Sequence, residues 1–357
     1  MKSKRILITG HEGYIGSVMV SHFLRAGYEV TGLDIGYFRQ CRLRTEVSIP
    51  GNVKDIRNVD ERDLKGIDAV IHLAALSNDP VSSLDESWTR QINYAASVRL
   101  AESAKSAGVQ RFLFSSSCIM YGMSEAGVVN EDSPLDPRTE YARSKVLAER
   151  SVSQLAGDGF SPTFLRNGTI YGLSPRMRFD TVLNDLVGMA ITTGKIIVHS
   201  DGKPWRPVVH VEDVARAFMT VLEAPVEKIH NQTFNVGANH LNYRISDLAE
   251  IVARSVPDCQ IQIRAQSSAD QRTYTADFTK FARTFPDFSF EWTAGTGALD
   301  LYGSLKSIGL VYADFNSERF TRLKWLRHLI NSGRLDKNLC WRDPIGESTY
   351  AGVGDSR

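Results

Sequence analysis

A parallel α/β sheet wound on both faces, joined to a smaller mixed α/β lobe, is the fold class that this sequence predicts. Three observations carry it. Short apolar strands alternate with helical segments from residue 5 to about 172, a glycine-rich turn separates the first strand from the first helix, and the alternation breaks after 173.

The first strand is RILIT, residues 5–9, a short apolar and β-branched run. It leads into ITGHEGYIGS, whose glycines Gly10, Gly13 and Gly16 precede apolar residues at helical spacing from Tyr14 to Ala26, a stretch that stops at Gly27. EVTGLD follows and ends at Asp34, 18 residues after Gly16, completing a strand–helix–strand unit with a terminal acid. Glycines let the backbone turn tightly against a pyrophosphate, whose charge the free N–H groups at the helix start stabilise. Asp34 can accept hydrogen bonds from adenosine ribose hydroxyls and repels a 2′-phosphate, so NAD is favoured over NADP. Arg39, Arg42 and Arg44 nearby keep NADP open.

The alternation continues through AVIHLAAL (69–76), a helix around 91–107, RFLFSSS (111–117), a helix from about 140 to 156, and SPTFLRNGTIYG (161–172). A chain of this pattern makes a Rossmann-type doubly wound parallel sheet, with its ligand beyond the carboxyl ends of the strands. Residues 1–172 and 206–236 are expected to form this NAD-binding domain, and 173–205 and 237–357 a discontinuous substrate-binding lobe, with a ligand cleft between them.

Composition narrows the function classes. Lys plus Arg is 42 against 41 for Asp plus Glu, with no long run of one sign, so no nucleic-acid partner is expected. Cys41, Cys118, Cys259 and Cys340 lie far apart in no metal-ligand spacing, which argues against a metal site or a disulfide framework and fits a cytoplasmic protein. No run approaches the roughly 20 apolar residues of a membrane span, and the start of the chain carries no leader-like apolar region.

YARSK places Tyr141 and Lys145 four apart on one face of a predicted helix. An ammonium beside a phenol favours the phenolate, and a pKa lowered from about 10 toward 7 corresponds to roughly 4 kcal/mol. Such a tyrosine can move a hydroxyl proton while hydride passes to or from nicotinamide. Ser117 ends the preceding strand, 24 residues ahead of Tyr141.

With these residues in this order, and with KDIRN around Asp55, HLAA at 72–75 and Asn93, the sequence resembles the extended short-chain dehydrogenase/reductase family, in particular its nucleotide-sugar epimerases, dehydratases and reductases. The resemblance implies that Tyr141, Lys145 and Ser117 are catalytic. Lys145 would also hold the nicotinamide ribose and Ser117 the reacting hydroxyl. Asp55 and Ile56 would border the adenine, while Leu73, Ala74 and Ala75, with Tyr14 and Ile15 between the glycines, would complete the cofactor site. Arg206 in WRPVVHVEDVARAF and Arg272 in DQRTYTAD match positions at which the family contacts a nucleoside diphosphate, a task suited to the guanidinium fork. Asn167 and Thr169 in LRNGTIYG, and Arg176 and Arg178 in SPRMRFD, are further substrate candidates. Thr169 departs from the family's usual asparagine, and the two arginines read equally as surface ion-pair residues. Asn93 reads equally as a buried residue tying its helix to neighbouring backbone, and His210 as a structural residue where a strand enters a helix. The resemblance also implies a homodimer through the helices near 91–107 and 140–156.

The 4,6-dehydratases of the family carry Thr, Asp and Glu from the Ser117 position onward, whereas this chain has Cys118 and Ile119 there. Isoleucine cannot take a proton, so water elimination and the related decarboxylation are disfavoured. Cys118 is one residue short of the place where some family epimerases use a cysteine, which favours a small buried residue over an acid or base. The expected activity is an NAD-dependent epimerase, working at C4 of a nucleoside-diphosphate hexose through a transient 4-keto sugar. A 4-ketosugar reductase or C4-dehydrogenase is the alternative. A dinucleotide sensor without turnover ranks last, since it needs neither Tyr141 nor Lys145. In the tail SERFTRLKWLRHLINSGRLDKNLCW, Phe320, Leu323, Leu326 and Ile330 recur at helical spacing among Arg319, Arg322 and Arg327. This helix is expected to pack on the substrate lobe or a second subunit rather than lie on a membrane.

Overall fold

The computed structural model describes residues 4–43, 51–77, 79–82, 84–264 and 273–343. Its strands are β1 (Arg5–Thr9), β2 (Glu29–Asp34), β3 (Gly51–Val53), β4 (Ala69–His72), β5 (Arg111–Ser117), β6 (Met123–Val129), β7 (Ser161–Asn167), β8 (Thr169–Tyr171), β9 (Lys195–Val198), β10 (Trp205–His210), β11 (Gln232–Val236), β12 (Asn242–Arg244), β13 (Gln260–Ile263) and β14 (Thr273–Ala276). Seven of them form the central sheet in the order β11–β7–β5–β4–β1–β2–β3. Every pairing in that sheet is parallel.

Side chains alternate across the sheet, so Ile6 and Ile8 enter one core while Leu7 enters the other. With both faces covered, the strands can be apolar throughout, as β4 is with all four residues buried. The expected strands at 5–9, 29–34 and 111–117 appear with those bounds. The strand order reverses between β1 and β4, which opens a crevice at the carboxyl ends of both.

The run 161–172 does not form one strand. It breaks at Gly168, so that β7 stays in the central sheet while β8 joins β10 and β12 in a second sheet. A Cβ on Gly168 would stand 3.2 Å from the Pro207 carbonyl oxygen, so the break lies where the two sheets approach most tightly. The helices Val182–Thr193, Ile245–Ser255 and Ala294–Ser307 pack together beside this second sheet. His210 caps the helix Val211–Glu223 by accepting from the Glu212 N–H at 3.3 Å, and its ring stacks on Trp292 at 4.0 Å. Burial pushes its imidazole down to about 3.

The C-terminal tail departs from expectation. Phe320 still packs on Phe179, but Trp325, Leu326, Leu329, Leu335 and Leu339 enter the core that contains Leu7, Leu33 and Tyr37. Trp325 Nε1 donates to the Tyr37 carbonyl at 2.7 Å and Trp341 Nε1 to that of Ile35 at 2.8 Å. The helix Arg322–Asn331 therefore crosses from the second lobe back to the β2 side of the dinucleotide half, where its apolar stripe joins the core around Leu33 and Tyr37. A substrate-lobe boundary running unbroken from 237 to 357 does not describe this packing. Among the described residues, no helix is long and apolar enough to cross a membrane.

Candidate active site

A cavity of ≈ 1030 Å³ lies beyond the carboxyl ends of β1, β4, β5 and β7. One wall comes from the first third of the chain, where Gly10, Gly13, Tyr14, Ile15, Gly16, Asp34, Asp55, Ile56, Leu73, Ala74 and Ala75 all line it. The turn admits no side chain at Gly10 or Gly16. A Cβ on Gly16 would lie 2.2 Å from the Gly10 carbonyl oxygen, and one on Gly10, whose φ is +72°, would lie 2.8 Å from the Ala74 nitrogen. The helix that follows, α1 (Tyr14–Arg25), has no side-chain cap. Its first-turn N–H groups are left for an anion in the cavity.

Asp34 closes this wall. It accepts from the Gly36 N–H at 2.8 Å and the Glu12 N–H at 3.2 Å, and burial pushes its carboxyl above the usual range. Although burial opposes it, Arg39 holds the Glu12 carboxyl below its ordinary value. Glu12 binds Arg39 at 2.7 Å and Arg42 at 3.7 Å. Two of the cations that left NADP open thus already face a carboxylate, and Arg44 lies outside the described residues. The glycine cradle, the open helix start and the acid at β2 together fit a dinucleotide whose ribose carries a free 2′-hydroxyl.

The opposite wall carries most of the residues expected to act on substrate. Ser117, Tyr141, Asn167, Thr169, Arg178 and Arg206 line it. Thr139 accepts from the Ala142 N–H at 3.2 Å and starts the helix Glu140–Ser153. Tyr141 therefore sits in the first turn, where the helix dipole adds to any stabilisation of phenolate. Lys145 is 3% exposed and stands behind the wall rather than on it. Its Nζ donates to the Ser115 carbonyl at 2.7 Å and lies 5.9 Å from the centre of the Tyr141 ring. Burial lowers its ammonium to about 8. Ser117 Oγ accepts from the Ile119 N–H at 3.3 Å. Asn167 pairs with Ser117 across the sheet and donates to Ser115 Oγ at 3.2 Å, while its Oδ1 is buried without a partner.

Arg178 pairs with Asp180 at 2.6 Å, and Arg206 donates to the Trp205 carbonyl at 2.8 Å. Two substrate candidates are not brought to the cavity. Cys118 is fully buried with Tyr121, Val129 and Tyr274, and its thiol donates to the Arg166 carbonyl at 3.2 Å. The 3-10 turn that begins at Cys118 points Ile119, not the thiol, into the cavity. Arg176 is buried beneath the glycine turn and donates to the carbonyls of Glu12 and Cys41, which makes it a brace for that turn. Arg272 lies outside the described residues. Asn93 exchanges two hydrogen bonds with the Leu76 backbone, at 2.8 and 3.0 Å, and so fixes the chain just after Ala75.

Phe38, Asp180, Thr321, Arg322 and Leu323 also line the cavity, and the sequence reading did not place them there. Arg322 stood in a visible amphipathic pattern, but nothing in that pattern says where the helix lands.

The family profile described as the NAD dependent epimerase/dehydratase family matches residues 6–237. The chain is 27% identical over 299 residues to a UDP-glucose 4-epimerase from Lactobacillus helveticus, covering 78% of this chain and 90% of that protein. It is 26% identical over 280 residues to a dTDP-D-glucose 4,6-dehydratase from Mus musculus, covering 75% and 77%. Among solved structures, it superposes with a TM-score of 0.77 and 25% identity on TunA, an NAD dependent NDP-hexosamine 5,6-dehydratase, covering 85% of this chain and 98% of that one. MoeE5 in complex with UDP-glucuronic acid and NAD matches at a TM-score of 0.74 and 26% identity, covering 85% and 99%. The profile match over residues 6–237 takes in the cradle, Asp34 and the Ser117, Tyr141 and Lys145 group, and with it the chain belongs to the NAD-dependent epimerase/dehydratase family, enzymes of the extended short-chain dehydrogenase/reductase type that act on nucleotide sugars.

Proposed function

We propose that the protein epimerises a nucleoside-diphosphate hexose at C4. The observation that carries this choice within the family is the turn after Ser117, where Ile119 lines the cavity and the Cys118 thiol is buried away from it. Elimination of water needs an acid and a base beside the reacting carbon, and this turn supplies neither. Tyr141 is then the group that takes the proton of the C4 hydroxyl and returns it to the C4 oxygen once the ketosugar has turned its other face to the cofactor. Lys145, close behind the Tyr141 ring, favours the phenolate. Ser117 donates to the same oxygen and fixes its position. NAD held by the Gly10–Gly16 turn and Asp34 would supply the hydride acceptor and donor for C4. Arg206 and Arg178 are suited to the substrate diphosphate. The engagement of Arg39 and Arg42 by Glu12 supports NAD over NADP, and so supports a recycling epimerase over a reductase.

The test is to incubate the protein with UDP-glucose, UDP-galactose and their N-acetylated forms without added cofactor, and to separate the products by chromatography. Interconversion of a C4 pair at unchanged mass is expected. A product lighter by one water would replace the epimerase with a dehydratase, and steady build-up of NADH in a parallel incubation with added NAD would replace it with a C4-dehydrogenase.

A further inference from the structure

We propose that Arg322 binds the pyrophosphate of the dinucleotide, so that the C-terminal segment carrying it straps the cofactor into its cradle. The inference rests on the NAD dependence of the family.

Position comes first. Arg322 lines the cavity together with Gly13, Tyr14 and Gly16, and its guanidinium lies 4.4 Å from the centre of the Phe38 ring. Arg176 contacts the same ring at 5.2 Å and donates to the Glu12 carbonyl within the glycine turn. Arg322 thus shares the Phe38 ring with the arginine that braces the turn before the uncapped start of α1.

Charge points the same way. Arg178 and Arg322 share one carboxylate, Asp180, which pairs with Arg178 at 2.6 Å and accepts the Arg322 backbone N–H at 3.2 Å, and Arg176 contacts the same Phe38 ring as Arg322. Arg176 donates to neutral carbonyls. The group carries more positive than negative charge, and Arg322 Nε is buried with no hydrogen-bond partner. Burial and the two neighbouring arginines lower the Arg322 guanidinium to about 9. A diphosphate entering between Arg322 and the α1 terminus would supply both the missing acceptor and the missing negative charge.

The segment is also placed to hold what it binds. Thr321, Arg322 and Leu323 stand on the cavity wall. The residues on either side are anchored to different halves of the protein, Phe320 on Phe179 and Trp325 on the Tyr37 carbonyl. Release of a cofactor seated behind Arg322 requires this crossing to lift.

The nucleotide sugar also carries a diphosphate, so the experiment separates the two sources. Cofactor-stripped wild type, Arg322→Gln and Arg322→Lys are titrated by calorimetry with NAD, ADP-ribose, adenosine and UDP. For Arg322→Gln, NAD and ADP-ribose are expected to bind roughly 10- to 100-fold more weakly, as for loss of a charged hydrogen bond. Adenosine and UDP are expected to be unchanged, with the Lys variant intermediate for NAD. Unchanged NAD binding overturns the assignment. So does equal weakening of adenosine, which would mark a general disturbance of the site, and so does a loss confined to UDP, which would move the arginine to the sugar nucleotide. Should Arg322→Gln melt early, the same comparison in Arg322→Lys decides. Wild type that binds no NAD overturns the cofactor reading and the strap with it.

Discussion

The two walls of the cleft are built on opposite plans. One is drawn from residues 10–75 and is made largely of backbone, with glycines in van der Waals contact and N–H groups at a helix start. The other is gathered from five separated stretches, at Ser117, Tyr141, Asn167, Arg178 and Arg206, and is made of side chains whose charge matters. Behind it lies a buried ion pair, Arg166 with Glu149 at 2.7 Å, extended through Tyr121 to Asn235. The glycine turn of the first wall tolerates no added atom at Gly10 or Gly16, and the acid that closes this wall, Asp34, is held by backbone N–H groups. A wall of side chains can be tuned, and it depends on support from deeper in the protein.

The largest expected effect separates the walls outright. Tyr141→Phe should lower turnover by about 10²- to 10⁴-fold while leaving the calorimetric affinity for NAD as it was. A parallel fall in both would show that the walls do not act independently. Next comes the support of the second wall. Arg166→Met leaves the Glu149 carboxylate buried and uncompensated, so urea denaturation should report a loss of about 3–5 kcal/mol. A change below about 1 kcal/mol would mean that the pair contributes little to the wall in front of it. The smallest effect is a pH slope. The folded His210 titrates near 3 against an ordinary value of 6.5, so between those limits the unfolded chain binds a proton that the folded one does not. Stability therefore falls as pH drops from 6.5 toward 3, by up to about 1.4 kcal/mol per unit from this residue. His210→Asn keeps a helix-capping side chain and should flatten the slope of melting temperature between pH 4.5 and 6.5. An unchanged slope would assign the acid sensitivity elsewhere, His72 being the other histidine lowered to about 3 by burial.

This contrast also explains what was legible in the sequence. The backbone wall is local, and local spacing carries it. The glycine positions, the distance to Asp34 and the bounds of β1, β2 and β5 follow from short apolar runs between turn residues. Tyr141 and Lys145 were legible for the same reason, one helical turn apart. The break at Gly168 was not, because the residues on both sides are equally suited to a strand and only the approach of Pro207 separates the sheets. Arg176 and Arg178 look alike in SPRMRFD, yet the irregular chain there sends one under the glycine turn and one into the cavity. Arg322 lay furthest from reach, since its neighbours in space are Phe38 and Asp180.

The crossing of the tail has a consequence for how the protein is made. Synthesis runs from the N-terminus, and domains fold as their residues emerge. The cradle around Gly10 and Asp34 is complete long before Thr321 leaves the ribosome, so a nascent chain can sample dinucleotide freely. Only when Trp325 through Trp341 dock beyond β2 does the crossing settle over the cavity. With the strap proposed for Arg322, cofactor commitment falls late in the life of each new chain, and chains cut short before that crossing are expected to release what they had bound.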